Sequence, residues 1–178
     1  MLPAPGPVAL RAVSDAEKNV GVTEDGPPYL NSGTSVNLYL NAVGLGPGYA
    51  WCAAFVEYRE MAAAHALGVS LPPDFPRGTF AAAAGDWAQW AKEHRHWFSD
   101  INENPKRGDL VCFDIASEGG IHHIGIVACD GDDTGFCSIE GNTRADDSDP
   151  VRDGYCVARR TRTYGNIGPG GGFIRLPW

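Results

Sequence analysis

The chain has 178 residues, with 14 Lys and Arg against 22 Asp and Glu and a formal net charge of −8. At about 100–200 residues per domain, this reads as one domain spanning 1–178, able to bury roughly 70% of its unfolded surface without a disulfide or metal. The acidic balance excludes a phosphate-backbone binder, no apolar run approaches the roughly 18 residues of a membrane span, and MLPAPGPVALRAVSDAEK lacks the features of a signal peptide.

Before Pro105 the periodicity is helical. Val8 to Val20 has a weak amphipathic spacing through Val8, Leu10, Val13, Ala16 and Val20. Ser32 to Val43 forms a second short helix through Val36, Leu38, Leu40 and Val43, stopped by Gly44, Gly46 and Gly48. Trp51 to Leu67 carries the strongest helical pattern, rich in alanine with Phe55, Tyr58 and Met61 spaced by three, and Gly68 stops it. Thr79 to His94 is a further helix, with Phe80, Ala83, Trp87, Trp90 and Ala91 on one stripe. After Pro105 short runs bounded by turn residues predict strands at Asp109–Phe113, Ile121–Cys129, Gly135–Gly141, Tyr155–Arg162 and Gly172–Leu176, with a hairpin turn at Asp130–Asp133. Helices followed by antiparallel strands predict an α+β fold with the helices packed on one sheet. Thr143–Arg152 is an acidic loop.

Five cysteines cannot all pair. Cys52 follows the glycine-rich segment from Gly44 to Trp51 and opens the longest helix. There, unpaired backbone N–H groups and the positive helix end favour a thiolate and can stabilise an oxyanion. A small buried residue is the competing account. His122 and His123 are adjacent on a strand and point to opposite faces, so they cannot chelate one metal together. Gly125 shares the face of His123 and leaves room beside the imidazole.

Glu140 is a charge inside an otherwise apolar strand. In one hairpin register His123 lies opposite Asn142 and Gly125 opposite Glu140, so the carboxylate can lean across Gly125 toward the imidazole. A slip of one residue turns Glu140 to the other face and sets Cys129 opposite Cys137. The constellation and a Cys129–Cys137 disulfide are therefore alternatives unless the hairpin contains a bulge. Otherwise Cys112, Cys129, Cys137 and Cys156 read as small core residues.

Four segments together carry a resemblance: Gly48-Tyr-Ala-Trp-Cys52-Ala-Ala-Phe-Val56, Pro105-Lys-Arg-Gly-Asp-Leu-Val111, His123-Ile-Gly-Ile-Val127 and Ile139-Glu-Gly-Asn142. In that order they resemble CHAP domains (cysteine, histidine-dependent amidohydrolases/peptidases), papain-like enzymes that are mostly peptidoglycan hydrolases. The resemblance implies a papain-like fold, Cys52 as nucleophile, His123 as general base and then acid, and Glu140 orienting the imidazole. It implies a second orienting or polar-pocket role for Asn142 and none for His122 or Asp109, the latter belonging to a structural turn. The calcium loop of some CHAP lysins has no counterpart in Glu24–Asn31, and the acidic runs at 130–133 and 146–149 lack calcium-ligand spacing. No metal or cofactor is expected.

The implied reaction is amide hydrolysis through a thioester, on the stem peptide of peptidoglycan. Trp51 is the expected groove residue because it is tied to Cys52, whereas Trp87 and Trp90 read as core. The expected enzyme is a monomer, a phage-type lysin or secreted antibacterial effector, made in the cytoplasm and acting at the cell wall or periplasm after release or non-classical secretion. Delivery machinery and an inhibitor protein are its conceivable partners. Two other readings stay open: a papain-like amidase acting on a small peptide conjugate, and a catalytically silent wall-binding module.

Overall fold

The computed structural model describes residues 2–100, 103–146 and 149–178; the acidic run at 146–149 thus lies partly outside the described residues. Pro7 opens α1 (Pro7–Glu17), where its fixed backbone suits the first turn. The buried stripe Val8, Ala9, Ala12, Val13 and Ala16 faces the core. Two further helices follow, α2 (Thr34–Ala42) and α3 (Cys52–Leu67). Gly68 ends α3 in the left-handed conformation, at φ 65°. The predicted helix at Thr79–His94 is instead two pieces, a 3₁₀ turn (Gly78–Ala82) and α4 (Ala84–Glu93), because Ala83 between them is extended at φ −116°. Phe80 is consequently exposed, while Trp87 and Trp90 are core residues.

Among the described residues, the strands are β1 (Trp97–Phe98), β2 (Leu110–Asp114), β3 (Ile121–Cys129), β4 (Phe136–Thr143), β5 (Cys156–Arg162) and β6 (Gly172–Ile174). They form one antiparallel sheet in the order β1-β6-β2-β3-β4-β5. The fold is therefore α+β, as expected, with β1 an addition. Leu110, Cys112, Ile124, Ile126 and Ile139 pack with the helices. The opposite face carries a smaller cluster around Val111, Phe113, Val127, Phe136 and Phe173. No helix among the described residues is long and apolar enough to cross a membrane.

The β3–β4 hairpin satisfies both register alternatives. Ile126 pairs with Ile139 and Val127 with Ser138, the register that turns Glu140 toward His123; the ladder then shifts, and Cys129 pairs with Cys137. Ala128 is the extra residue, a bulge that reverses parity within the hairpin. Cys129 and Cys137 form a disulfide, which corrects their reading as core thiols, while Cys52, Cys112 and Cys156 are free and buried. A second irregularity, between β2 and β3, leaves His122 unpaired beside His123, since Phe113 pairs with His123 and Asp114 with Ile121.

Candidate active site

Cys52 is the first residue of α3 and is 4% exposed, with its Sγ 3.9 Å from the His122 carbonyl. Two contacts fix this end of the helix. The Trp51 indole N–H donates to Glu24 Oε1 at 2.9 Å, and Glu24 Oε2 accepts the Asn31 N–H at 2.7 Å. On the sheet side, β4 approaches α3 so closely that a Cβ on Gly141 would lie 2.8 Å from Phe55 and 2.9 Å from Trp51. The N–H groups of the first helical turn are those a helix leaves without an internal acceptor.

His123 has no exposed surface, and its Nε2 lies 2.9 Å from Glu140 Oε2. The carboxylate reaches it across Gly125, where an added Cβ would fall 2.7 Å from Glu140 Cγ. With Nε2 engaged, Nδ1 is the ring nitrogen left for Cys52, and it has no hydrogen-bond partner among the described residues. Burial pulls the imidazole pKa down, but Cys52 and Glu140 outweigh it and raise the value to about 9.

Glu140 is itself gripped by β5. Arg162 donates from Nε to Oε1 at 2.9 Å and from Nη2 to Oε2 at 2.7 Å, a two-pronged contact. The Ser138 hydroxyl donates to Oε1 at 2.6 Å. Burial pushes the Glu140 carboxyl upward, yet His123 and Arg162 hold it far below the usual carboxylate range. Sequence reasoning missed Arg162 and Ser138. The available signal was parity: a carboxylate buried in β4 needs a cation on the same face of β5, where Arg160 and Arg162 alternate.

Asn142 is fully buried at φ 54°, but its side chain turns away from His123. Its Nδ2 donates to the Arg152 carbonyl and its Oδ1 accepts the Gly154 N–H, both at 3.3 Å. An orienting bond to the imidazole is therefore not made; the residue pins the segment that follows the acidic loop. Trp51 is also corrected: with no exposed surface and its indole committed to Glu24, it has no face for a groove. Tyr49, 56% exposed, supplies the aromatic there. The His122 ring meets the Glu118 carbonyl at 3.1 Å, away from His123. Asp109 binds Arg175 through both oxygens, at 2.9 and 2.7 Å, and accepts the Lys106 N–H, a structural turn as expected.

Cys52 opens into a cavity of ≈ 290 Å³ bordered by Ala50, Ala83, Gly85, Ile121, His122 and Arg152. Ala50 and Arg152 also border a neighbouring groove of ≈ 620 Å³, so the two adjoin. Among the described residues, no group of three or more His, Cys, Asp or Glu side chains lies together in a way that would hold a metal ion.

The CHAP-domain family model matches residues 44–142, more than half of the chain, from the loop before Cys52 to Asn142. Searches of curated proteins and of solved structures give no match. The matched span carries α3 with Cys52 at its head, the Pro105–Asp109 turn and the β3–β4 hairpin. The chain therefore belongs to the CHAP-domain family, a family of peptidoglycan amidohydrolases and peptidases.

Proposed function

We propose that the protein is a cysteine hydrolase that cuts an amide bond in the peptide part of peptidoglycan through a thioester at Cys52. One observation carries the reading: Glu140 occupies Nε2 of His123, leaving Nδ1 without a hydrogen-bond partner among the described residues and the ring electrostatically coupled to Cys52. In this mechanism Nδ1 already holds the proton of the Cys52 thiol as Sγ bonds to the substrate carbonyl carbon. First-turn N–H groups of α3 receive the developing oxyanion. The C–N bond then breaks, and the leaving amine takes the proton from His123. A water molecule, deprotonated by the same nitrogen, attacks the thioester, releasing the carboxylate product and restoring the thiol. Glu140, braced by Arg162 and Ser138, keeps the ring in place throughout.

The Cys129–Cys137 disulfide fits work outside a reducing cytoplasm, at the wall or in the periplasm. The test is digestion of purified peptidoglycan with wild type and Cys52→Ala, followed by mass analysis of the released fragments. Fragments that appear only with wild type, bearing one new carboxylate and one new amine, identify the bond. Binding without cleavage by wild type, or equal release by both proteins, overturns the reading.

A further inference from the structure

The groove beside the nucleophile has features that the catalytic residues do not explain. The chain is strongly acidic overall, yet two arginines line this groove, Arg144 and Arg152, both from the segment joining β4 to β5. Arg144 is exposed and has no side-chain partner among the described residues. Arg152 borders both cavities and thus lies between the groove and Cys52. Among the described residues its guanidinium contacts Glu118 at 3.3 Å, between side chains 56% and 37% exposed. An exposed pair of this kind is weak and easily exchanged for a substrate group. Glu118 and Asp153 line the groove too, so the lining is locally balanced and the arginines act at contact range.

The placement of Arg152 is built in. Asn142, fully buried, spends its amide on the Arg152 carbonyl and the Gly154 N–H, and the Asn142 carbonyl accepts the same Gly154 N–H at 3.0 Å. The left-handed backbone at Asn142 directs that side chain out of the strand and is tolerated best by Asn, Asp and Gly. Tyr49 adds an exposed ring against which a peptide can lie.

We propose that Arg144 and Arg152 form a subsite for a carboxylate next to the scissile amide, with Asn142 as the positioning residue for Arg152. The substrate class is a peptide with a free acid beside the cleaved bond, as opposed to one with that acid amidated. A planar guanidinium can hold a carboxylate by two parallel hydrogen bonds, whereas a carboxamide presents it with only one acceptor oxygen. The proposal rests on the hydrolase reading for its substrate.

The test uses two synthetic stem-type peptides identical except that the acid beside the scissile amide is free in one and a carboxamide in the other. Wild type is expected to favour the free acid in kcat/KM by about tenfold or more. Arg144→Gln and Arg152→Gln should each lower that ratio toward one, chiefly through KM. Asn142→Ala should lower it as well, and Asn142→Asp, which keeps the acceptor for Gly154, should partly restore it. A merely structural role for Asn142 would depress both peptides alike and leave the ratio intact. A wild-type ratio near one, or a ratio that both arginine variants preserve, overturns the subsite. If wild type cleaves neither peptide, calorimetric binding to Cys52→Ala decides separately. Tighter binding of the free acid there keeps the subsite and overturns the hydrolase; equal or absent binding overturns the subsite.

Discussion

A carboxylate with no exposed surface stays ionised only where its partners outweigh the lost water. Glu140 meets that condition with His123, Arg162 and Ser138, and Thr143 approaches at 3.4 Å. The same charge helps hold His123 protonated up to about 9, against burial. In the proposed mechanism the protonated ring returns a proton to the leaving amine, so kcat/KM should fall as pH rises through about 9. Glu140→Gln keeps the shape but removes the charge, so the alkaline limb should move to lower pH. Activity at neutral pH should drop on the order of 10²–10⁴-fold. A pH–rate profile checks both effects; an unmoved limb in the variant would sink the role given to Glu140. The placement of Cys52 at the head of α3 and of Glu140 beside His123 was legible because helix position and strand parity are sequence properties. Arg162 was not, since Arg159-Arg-Thr-Arg162 reads as a solvated face until β5 is known to bury alternate residues. Asn142 was misread because parity places it opposite His123, whereas a left-handed backbone turns its side chain elsewhere.

The β3–β4 hairpin is the element that assembles the site, and Gly125 is its narrowest point. A Cβ there would fall 2.7 Å from Glu140 Cγ and 3.1 Å from the Ile139 carbonyl oxygen. The carboxylate end of Glu140 is held by Arg162, so the side chain cannot swing aside without breaking those bonds. Gly125→Ala should therefore cost about 1–3 kcal/mol of stability through overpacking, and at least tenfold in kcat/KM by moving Glu140 off the imidazole. Denaturant melts alongside kinetics check this. Wild-type turnover in a destabilised variant would show that Glu140 tolerates displacement. The opening at Gly125 was readable from the sequence, as were β3 and α3. The Ala128 bulge was not, because nothing in Val127-Ala-Cys129 marks an extra residue; it appears only when the two cysteines and Glu140 must be served by one hairpin. The two-residue β1 and the break at Ala83 likewise depend on packing, since Thr79–His94 keeps a helical apolar stripe across the break.

At the scale of the whole molecule, the helix that presents Cys52 also buries two acids that the site does not use. Glu60 has no exposed surface, and neither of its oxygens has a partner among the described residues; burial alone raises its pKa to about 8. Glu57 is raised to about 7, burial outweighing the attraction of Arg77. Both are neutral in the folded protein at pH values where the unfolded chain has already ionised them. The native state then binds more protons than the unfolded one, so stability falls as pH rises from the ordinary value of 4.5 to about 8. For Glu60 the slope is about 1.4 kcal/mol per pH unit across that window, flattening above it. Glu140 runs the other way: its lowered pKa adds stability above the ordinary carboxylate range that is lost on acidification. Glu60→Met removes the titrating group while keeping a chain of similar length, and replacing an unpartnered buried polar group by an apolar one is not destabilising in itself. Urea unfolding at pH 5, 7 and 9 should then show the variant near wild type at the lowest pH and progressively more stable above it. Parallel stability curves for the two proteins would mean that Glu60 finds a partner or water in solution, and the core beneath α3 would have to be polar. Divergence would place a cost of alkaline conditions in the helix that carries Cys52, so that loss of fold and loss of the protonated His123 would both limit the proposed activity from the alkaline side.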